Sequence, residues 1–181
     1  MCKAVLPCYR GSEDDVLARY YFSARAFHAD AVVRVTSDCP LIDPNVIEQV
    51  ISHYISNYPK YDYVSNTLKR TYPRGMDTEV FSYKALSEAF ENANLPTERE
   101  HVTPYIYNNP KQYNKSNVPY SSDQSYHRWT VDTSQDLELI KNILESLYPF
   151  NKQFTLEDCL ELMQIHSEWK KINEEIIQKN L

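Results

Sequence analysis

Glycine restricts this chain more than any other feature: among 181 residues there are two, Gly11 and Gly75. A loop that wraps an anion in backbone N–H donors needs several, because only a residue without a Cβ lets the chain approach closely. No glycine-rich cradle is written into this sequence, so any such cradle has to come from elsewhere or is missing. What the chain does bring to a point is carboxylate. Val32, Val33 and Val35 are β-branched and closely spaced, which predicts a short buried strand at the centre of the fold. It runs into Thr36-Ser37-Asp38, and Pro40 ends further pairing because it has no N–H to give. Trp129-Thr130-Val131 repeats the device and delivers Asp132 and Thr133. In open α/β sheets the carboxyl ends of strands are where ligands bind. Two carboxylates there suit Mg²⁺, which keeps several waters and takes only one or two protein carboxylates beside substrate phosphates. Each aspartate also has a plainer reading, as the cap of the turn or helix that follows.

Composition bounds the rest. A hydrophobic share of 42% and a charged share of 24% describe an ordinary globular chain with a real core. The net charge of −6 argues against nucleic acid held on a broad basic surface. No apolar run nears the roughly 20 residues of a membrane helix, and the start MCKAVLPCYR is not a signal peptide. A cytoplasmic protein without membrane partners is expected. Cys2, Cys8, Cys39 and Cys159 are scattered, with neither a CxxC pair nor zinc spacing, and read as reduced thiols. Cys39 adjoins Asp38, but no histidine stands near it in sequence, so it reads as a small buried residue.

In chain order, Cys2 to Cys8 looks like the end of a strand. Ser12, with Asp15 three residues on, reads as the N-cap of a helix running to about His28. Val46 to Tyr58 repeats the helical period after Pro44. Strands are predicted at Tyr61–Asn66, Thr78–Phe81 and His127–Val131. Helices are predicted at Tyr83–Ala93, Arg99–Tyr107, Ser134–Tyr148, Thr155–Met163 and along the charged tail from Ser167 to Leu181. Pro110 to Gln124 reads as an irregular loop. With no internal repeat and no linker, residues 1–181 are expected to be one domain, α/β with a mainly parallel sheet.

Two polar clusters stand apart from the strand-end aspartates. Pro73-Arg74-Gly75-Met76-Asp77-Thr78-Glu79 sets one cation and two anions around a flexible glycine. Arg74 can clamp a phosphate or carboxylate with two parallel N–H bonds, and Asp77 and Glu79 can accept from sugar hydroxyls. The alternative is a solvated turn with ion pairs of little worth. Glu98-Arg99-Glu100-His101 is either a capped helix start or a polar cluster facing a cleft.

These segments closely resemble the spore coat polysaccharide biosynthesis protein F family. The resemblance rests on Gly11-Ser12-Glu13-Asp14-Asp15-Val16-Leu17, on Thr36 through Pro44, on Tyr72 through Phe81, on Glu98 through Tyr105 and on Arg128 through Thr133. They follow the family's order and cover most of the chain. That family sits with the cytidylyltransferases that activate acidic sugars such as 3-deoxy-manno-octulosonate and sialic acid. The resemblance implies a Rossmann-like, three-layer nucleotidyltransferase fold, used in polysaccharide biosynthesis. It implies Asp38 and Asp132 as catalytic residues and magnesium ligands. It also implies Gly11, Ser12 and Asp15 near the nucleotide, CTP, with Arg74, Asp77, Glu79, Glu100 and His101 toward the acidic sugar.

Family members open on a loop of the type A-R-x-x-S-x-R-L-x-x-K that holds the triphosphate, and nothing here matches it. The fold is therefore expected to be N-terminally truncated, the chain by itself to turn over weakly or not at all, and exposed strand edges to favour a homo-oligomer. A second reading is a non-catalytic sugar-binding or assembly module.

Overall fold

The computed structural model describes residues 7–176. Most of the apolar piece at Cys2 to Cys8 and the last residues of the expected tail helix lie outside that range. The elements are α1 (Val16–Ala26), β1 (Ala31–Arg34), α2 (Pro44–Ser56), β2 (Tyr63–Ser65), β3 (Glu79–Ser82), α3 (Tyr83–Asn92), α4 (Pro96–His101), α5 (Pro104–Asn108), β4 (Lys115–Asn117), α6 (Ser134–Leu147) and α7 (Leu156–Ile165), followed by a 3₁₀ segment at Ser167–Ile172. The strands pair in the order β1-β3-β2-β4. β2 and β4 run parallel: Asn114 C=O accepts from Tyr63 N–H at 3.3 Å, and further along both strands Val118 N–H donates to Ser65 C=O at 2.9 Å. β2 and β3 run antiparallel, since Asn66 N–H meets Thr78 C=O at 3.3 Å while Ser82 N–H meets Asp62 C=O at 3.0 Å. No helix among the described residues is long and apolar enough to cross a membrane.

The residues gather into two compact units. One comprises the described residues up to Val32, then Pro59–Tyr63 and Phe81–Lys115. Leu17, Phe81, Leu86, Val102 and Ile106 are buried in its core, and Tyr21 stacks on Phe90 with ring centroids 4.2 Å apart. Here α1 starts later than Ser12 predicts. Asp15 is the N-cap, accepting from Ala18 N–H at 2.9 Å, and Ser12 Oγ instead accepts from Asp15 N–H at 3.1 Å. Asp15 prevails because its second oxygen also pairs with Arg99. The single helix expected over Arg99–Tyr107 is two helices. Between them Val102 sits at φ 73° and ψ −53°, and Thr103 N–H bonds back to His101 C=O at 2.9 Å, a γ-turn. Pro104 cannot supply the N–H that a continuous helix would need there.

The other unit comprises Val33–Tyr58, Val64–Val80 and the described residues from Ser116 onward. Its core is built on the fully buried Trp129 with Tyr72, Met76, Leu139, Ile143 and Leu156. Within the described strand order β1 stands at one end rather than the centre, and Val33 and Val35 are 40% and 39% exposed. β3 holds a middle position and is buried over its first three residues, because a strand needs a neighbour on each side to be closed from water. His127–Val131 is not a regular strand. One parallel rung forms between Arg74 and Arg128, and the turn at Gly75 then carries the partner away. The loop expected at Pro110–Gln124 contains β4, whose neighbour β2 supplies the pairing that its polar sequence does not advertise. The tail is 3₁₀ over Ser167–Ile172 and a turn after it rather than a long helix.

Candidate functional site

Asp38 and Asp132 both lie in the second unit, Asp38 in the turn after β1 and Asp132 beyond the single rung at Arg128 rather than at the end of a strand. Val131 N–H donates to Asp38 C=O at 2.9 Å, which lays the two Asp-bearing turns side by side. Neither aspartate is a helix cap. The cap of α2 is Asp43, accepting from Asn45 N–H at 2.7 Å. The cap of α6 is Thr133, in a reciprocal box with Asp136. The Asp38 carboxylate is half-buried, and its contact is the Cys39 thiol at 3.7 Å. Burial first, and then the charges of Asp38 and Asp77, push that thiol up to about 12, so Cys39 is a poor nucleophile at neutral pH. The loop between β2 and β3 carries Asp77, one of the charges that bear on that thiol.

That loop is held from within. The buried Asn66 accepts from Thr78 N–H at 2.9 Å and donates to Met76 C=O at 2.7 Å. Gly75 turns at φ +103°, and a Cβ there would stand 2.7 Å from the carbonyl oxygen of Trp129. Arg70 holds Asp77 with two bonds of 2.5 and 2.7 Å. Arg34 holds Glu79 at 2.5 Å, and Glu79 is only 6% exposed. Glu79 is thereby a counter-ion inside the sheet. Arg74 is different. Burial lowers its pKa, the positive neighbours Arg70 and Arg128 lower it further, and Asp77, which works against them, is already committed to Arg70.

Asp132 is 53% exposed at its side chain and receives Arg128 Nη2 at 2.5 Å. Arg128 reaches past it to the fully buried Asp136, with Nε at 3.0 Å and Nη2 at 3.1 Å. Asn173 Nδ2 donates to Asp136 and to Arg128 C=O, both at 2.9 Å. The backbone N–H groups of Asp132 and Thr133 complete the shell at 3.2 and 3.1 Å. Burial alone would raise the Asp136 carboxyl, but these donors, Arg128 foremost, hold it down at about 2. The result is a permanent buried anion that fixes Arg128, and through it the carboxylate of Asp132. Beside this network is a cavity of about 240 Å³, lined in part by Arg74, Tyr126, Arg128 and Lys170.

The remaining predicted residues belong to the first unit. Gly11 and Ser12 precede α1, and the backbone oxygen of Ser12 accepts from Arg19 at 3.2 Å. Asp15 caps α1 and pairs with Arg99, which also donates to Phe90 C=O at 2.9 Å. Glu100 and His101 end α4, with Oε2 and Nε2 3.9 Å apart.

Sequence reading passed over Arg70, Asp136, Asn173, Tyr126 and Lys170, and gave Arg128 no role beyond its place in a motif. A signal existed for one of them: Thr133-x-x-Asp136 has the spacing of a capping box. The others are polar residues with no local pattern, and their meaning lies in partners far along the chain.

The cytidylyltransferase family profile matches residues 2–172, nearly the full length. The chain belongs to the cytidylyltransferase family. It is 33% identical over 177 residues to an uncharacterized protein of Methanocaldococcus jannaschii, covering 95% of this chain and 69% of that one. It is 30% identical over 140 residues to the spore coat polysaccharide biosynthesis protein SpsF of Bacillus subtilis, covering 76% of this chain and 56% of that protein. Among solved structures, a cytidylyltransferase from Leptospira borgpetersenii superposes with a TM-score of 0.86 at 31% identity, over 94% of this chain and 70% of that one. The fold is thus the Rossmann-like α/β fold of a cytidylyltransferase, and family membership implies a nucleotide substrate.

Proposed function

We propose that this cytidylyltransferase-family chain serves the transfer of CMP from CTP to an acidic sugar in polysaccharide biosynthesis, in the cytoplasm where nucleotide donors are made. The observation that carries the reading is the bond from Val131 to Asp38, with both neighbouring carboxylates left off the helix caps. In the reaction an oxygen of the sugar acid attacks the α-phosphorus of CTP, and pyrophosphate leaves with the bonding electron pair. Asp38 and Asp132 suit Mg²⁺ by their chemistry: two hard oxygen donors on adjoining turns, one of them more than half exposed. Mg²⁺ bound there would offset charge on the phosphates. Arg128 orients the Asp132 carboxylate, while Asn66 and Gly75 hold the loop that presents Arg74. Relation to the SpsF protein of Bacillus subtilis supports the polysaccharide setting.

The test is calorimetric titration of the purified chain with CTP and, separately, ATP, each with Mg²⁺. CTP is expected to bind more tightly than ATP, with affinity falling at least tenfold in Asp38→Asn and in Asp132→Asn. Equal affinity for both nucleotides, or CTP binding indifferent to both substitutions, ends the reading.

A further inference from the structure

The cavity lined in part by Arg128 has a volume of about 240 Å³, and all its lining residues belong to the second unit. Pockets for drug-sized ligands run from about 300 to 1,000 Å³, so this one fits a single sugar rather than a nucleotide. Its charge is one-sided: Arg74, Arg128 and Lys170 line it against one acid, Glu174, which is solvent-exposed. The three cations are not equivalent. Arg128 is saturated by Asp132 and Asp136. Lys170 Nζ stands 5.0 Å over the ring of Tyr126 and has no carboxylate partner among the described residues. Arg74 likewise has no ion pair there, although it is half-buried and the charges of Arg70 and Arg128 oppose its own. A guanidinium in that position is held at a cost that a bound anion relieves.

The site is also prearranged. Arg74 exchanges backbone bonds with His127 C=O at 3.0 Å and Trp129 N–H at 2.8 Å, so the base of its side chain does not wander. Leu139 and Met163 give the cavity an apolar part, and Tyr126 gives it an aromatic wall. That combination suits a pyranose ring carrying one charged group: C–H faces against the apolar side and an anion on the cations. A planar guanidinium matches a carboxylate through two parallel N–H bonds.

We propose that this cavity is the subsite for the carboxylate of the acceptor sugar, which is gripped by Arg74 and Lys170 with the ring against Tyr126. The proposal rests on the transferase reading for the word acceptor. It adds Lys170 and Tyr126 as specificity determinants and places the acid group one side chain, Arg128, away from Asp132.

The experiment uses the purified chain with N-acetylneuraminate and glucuronate as probes, their methyl esters as uncharged counterparts, and inorganic phosphate as competitor. Binding is read by saturation-transfer NMR and calorimetry, with circular dichroism to check that each variant is folded. At least one of the two acids is expected to bind at least tenfold more tightly than its ester. Arg74→Gln and Lys170→Gln should each remove most of that difference. Lys141→Gln, on the exposed face of α6 where Lys141 neighbours Glu145, should leave it intact. Three results overturn the proposal: neither acid binds; esters bind as tightly as acids; or the Arg74 and Lys170 variants bind as the unaltered chain does. Phosphate displacing the acids at concentrations below their own dissociation constants would also overturn it, making the cavity a phosphate site. The CTP titration is read independently, so nucleotide binding can fail while the carboxylate subsite stands, or the reverse.

Discussion

At the scale of single residues, two glycines carry very different burdens. Gly11 is crowded but sits at no forbidden backbone angle; its added Cβ would meet Arg19 and Tyr9 atoms at 3.3 Å. Gly75 combines a left-handed φ of +103° with backbone atoms of Trp129 at 2.7 and 2.8 Å from where a Cβ would be. Both the torsion and the clash fall on backbone that cannot rotate away. Gly75→Ala is therefore expected to cost about 3 kcal/mol, read as a shift in the urea midpoint, and to loosen Arg74. Gly11→Ala should change the midpoint little; equal costs at the two sites would show that the turn is not what Gly75 provides. The sequence flagged Gly75 only as flexible. Its rigidity is a property of Trp129, more than fifty positions later and invisible to any local window.

At the scale of elements, the helix starts were largely legible and their tertiary duties were not. Thr133 and Thr155 cap α6 and α7 as their spacing to Asp136 and Asp158 suggests. Asp43 does more than a cap. One oxygen accepts from Asn45 N–H and the other from Leu156 N–H, both at 2.7 Å, so a single buried carboxylate ties the start of α2 to the start of α7. Asp43→Ala leaves two N–H groups unsatisfied, one of them buried, and is expected to cost about 2–4 kcal/mol. Asp43→Asn keeps one carbonyl oxygen and should cost roughly half as much. Thr155→Ala, which loses a cap alone, should cost about 1 kcal/mol. Chemical denaturation of the three variants gives the ranking, and an Asp43→Ala loss no larger than the Thr155 loss would deny the bridging role.

Across the whole molecule, acid should destabilise the fold in two separate ranges. His127 is buried, and burial first, then the charge of Lys170, pushes it down from 6.5 to about 4. The unfolded chain binds that proton first, so stability is full above about pH 6.5 and drains as pH falls toward 4, by roughly 3 kcal/mol. Asp136, held at about 2, adds a further loss below the ordinary carboxylate range, completed near pH 2. Unfolding free energies measured between pH 7 and 4 should thus slope downward, and His127→Gln should flatten that slope. A slope of the same size in the variant would assign the proton elsewhere.

By itself the sequence determined the α/β class, the place of most of the helices, and the family to which its ordered motifs point. These are local matters, written in period, capping chemistry and short contiguous motifs. Only tertiary structure decided that β1 stands at the end of the described strand order and that His127–Val131 makes a single rung. It also decided that Glu79 and Asp77 belong to Arg34 and Arg70, and that Arg74 and Lys170 share a cavity. The reason is range. Asn173 meets Asp136 across 37 positions and Leu156 meets Asp43 across 113, and a polar side chain carries no mark of a partner so far away.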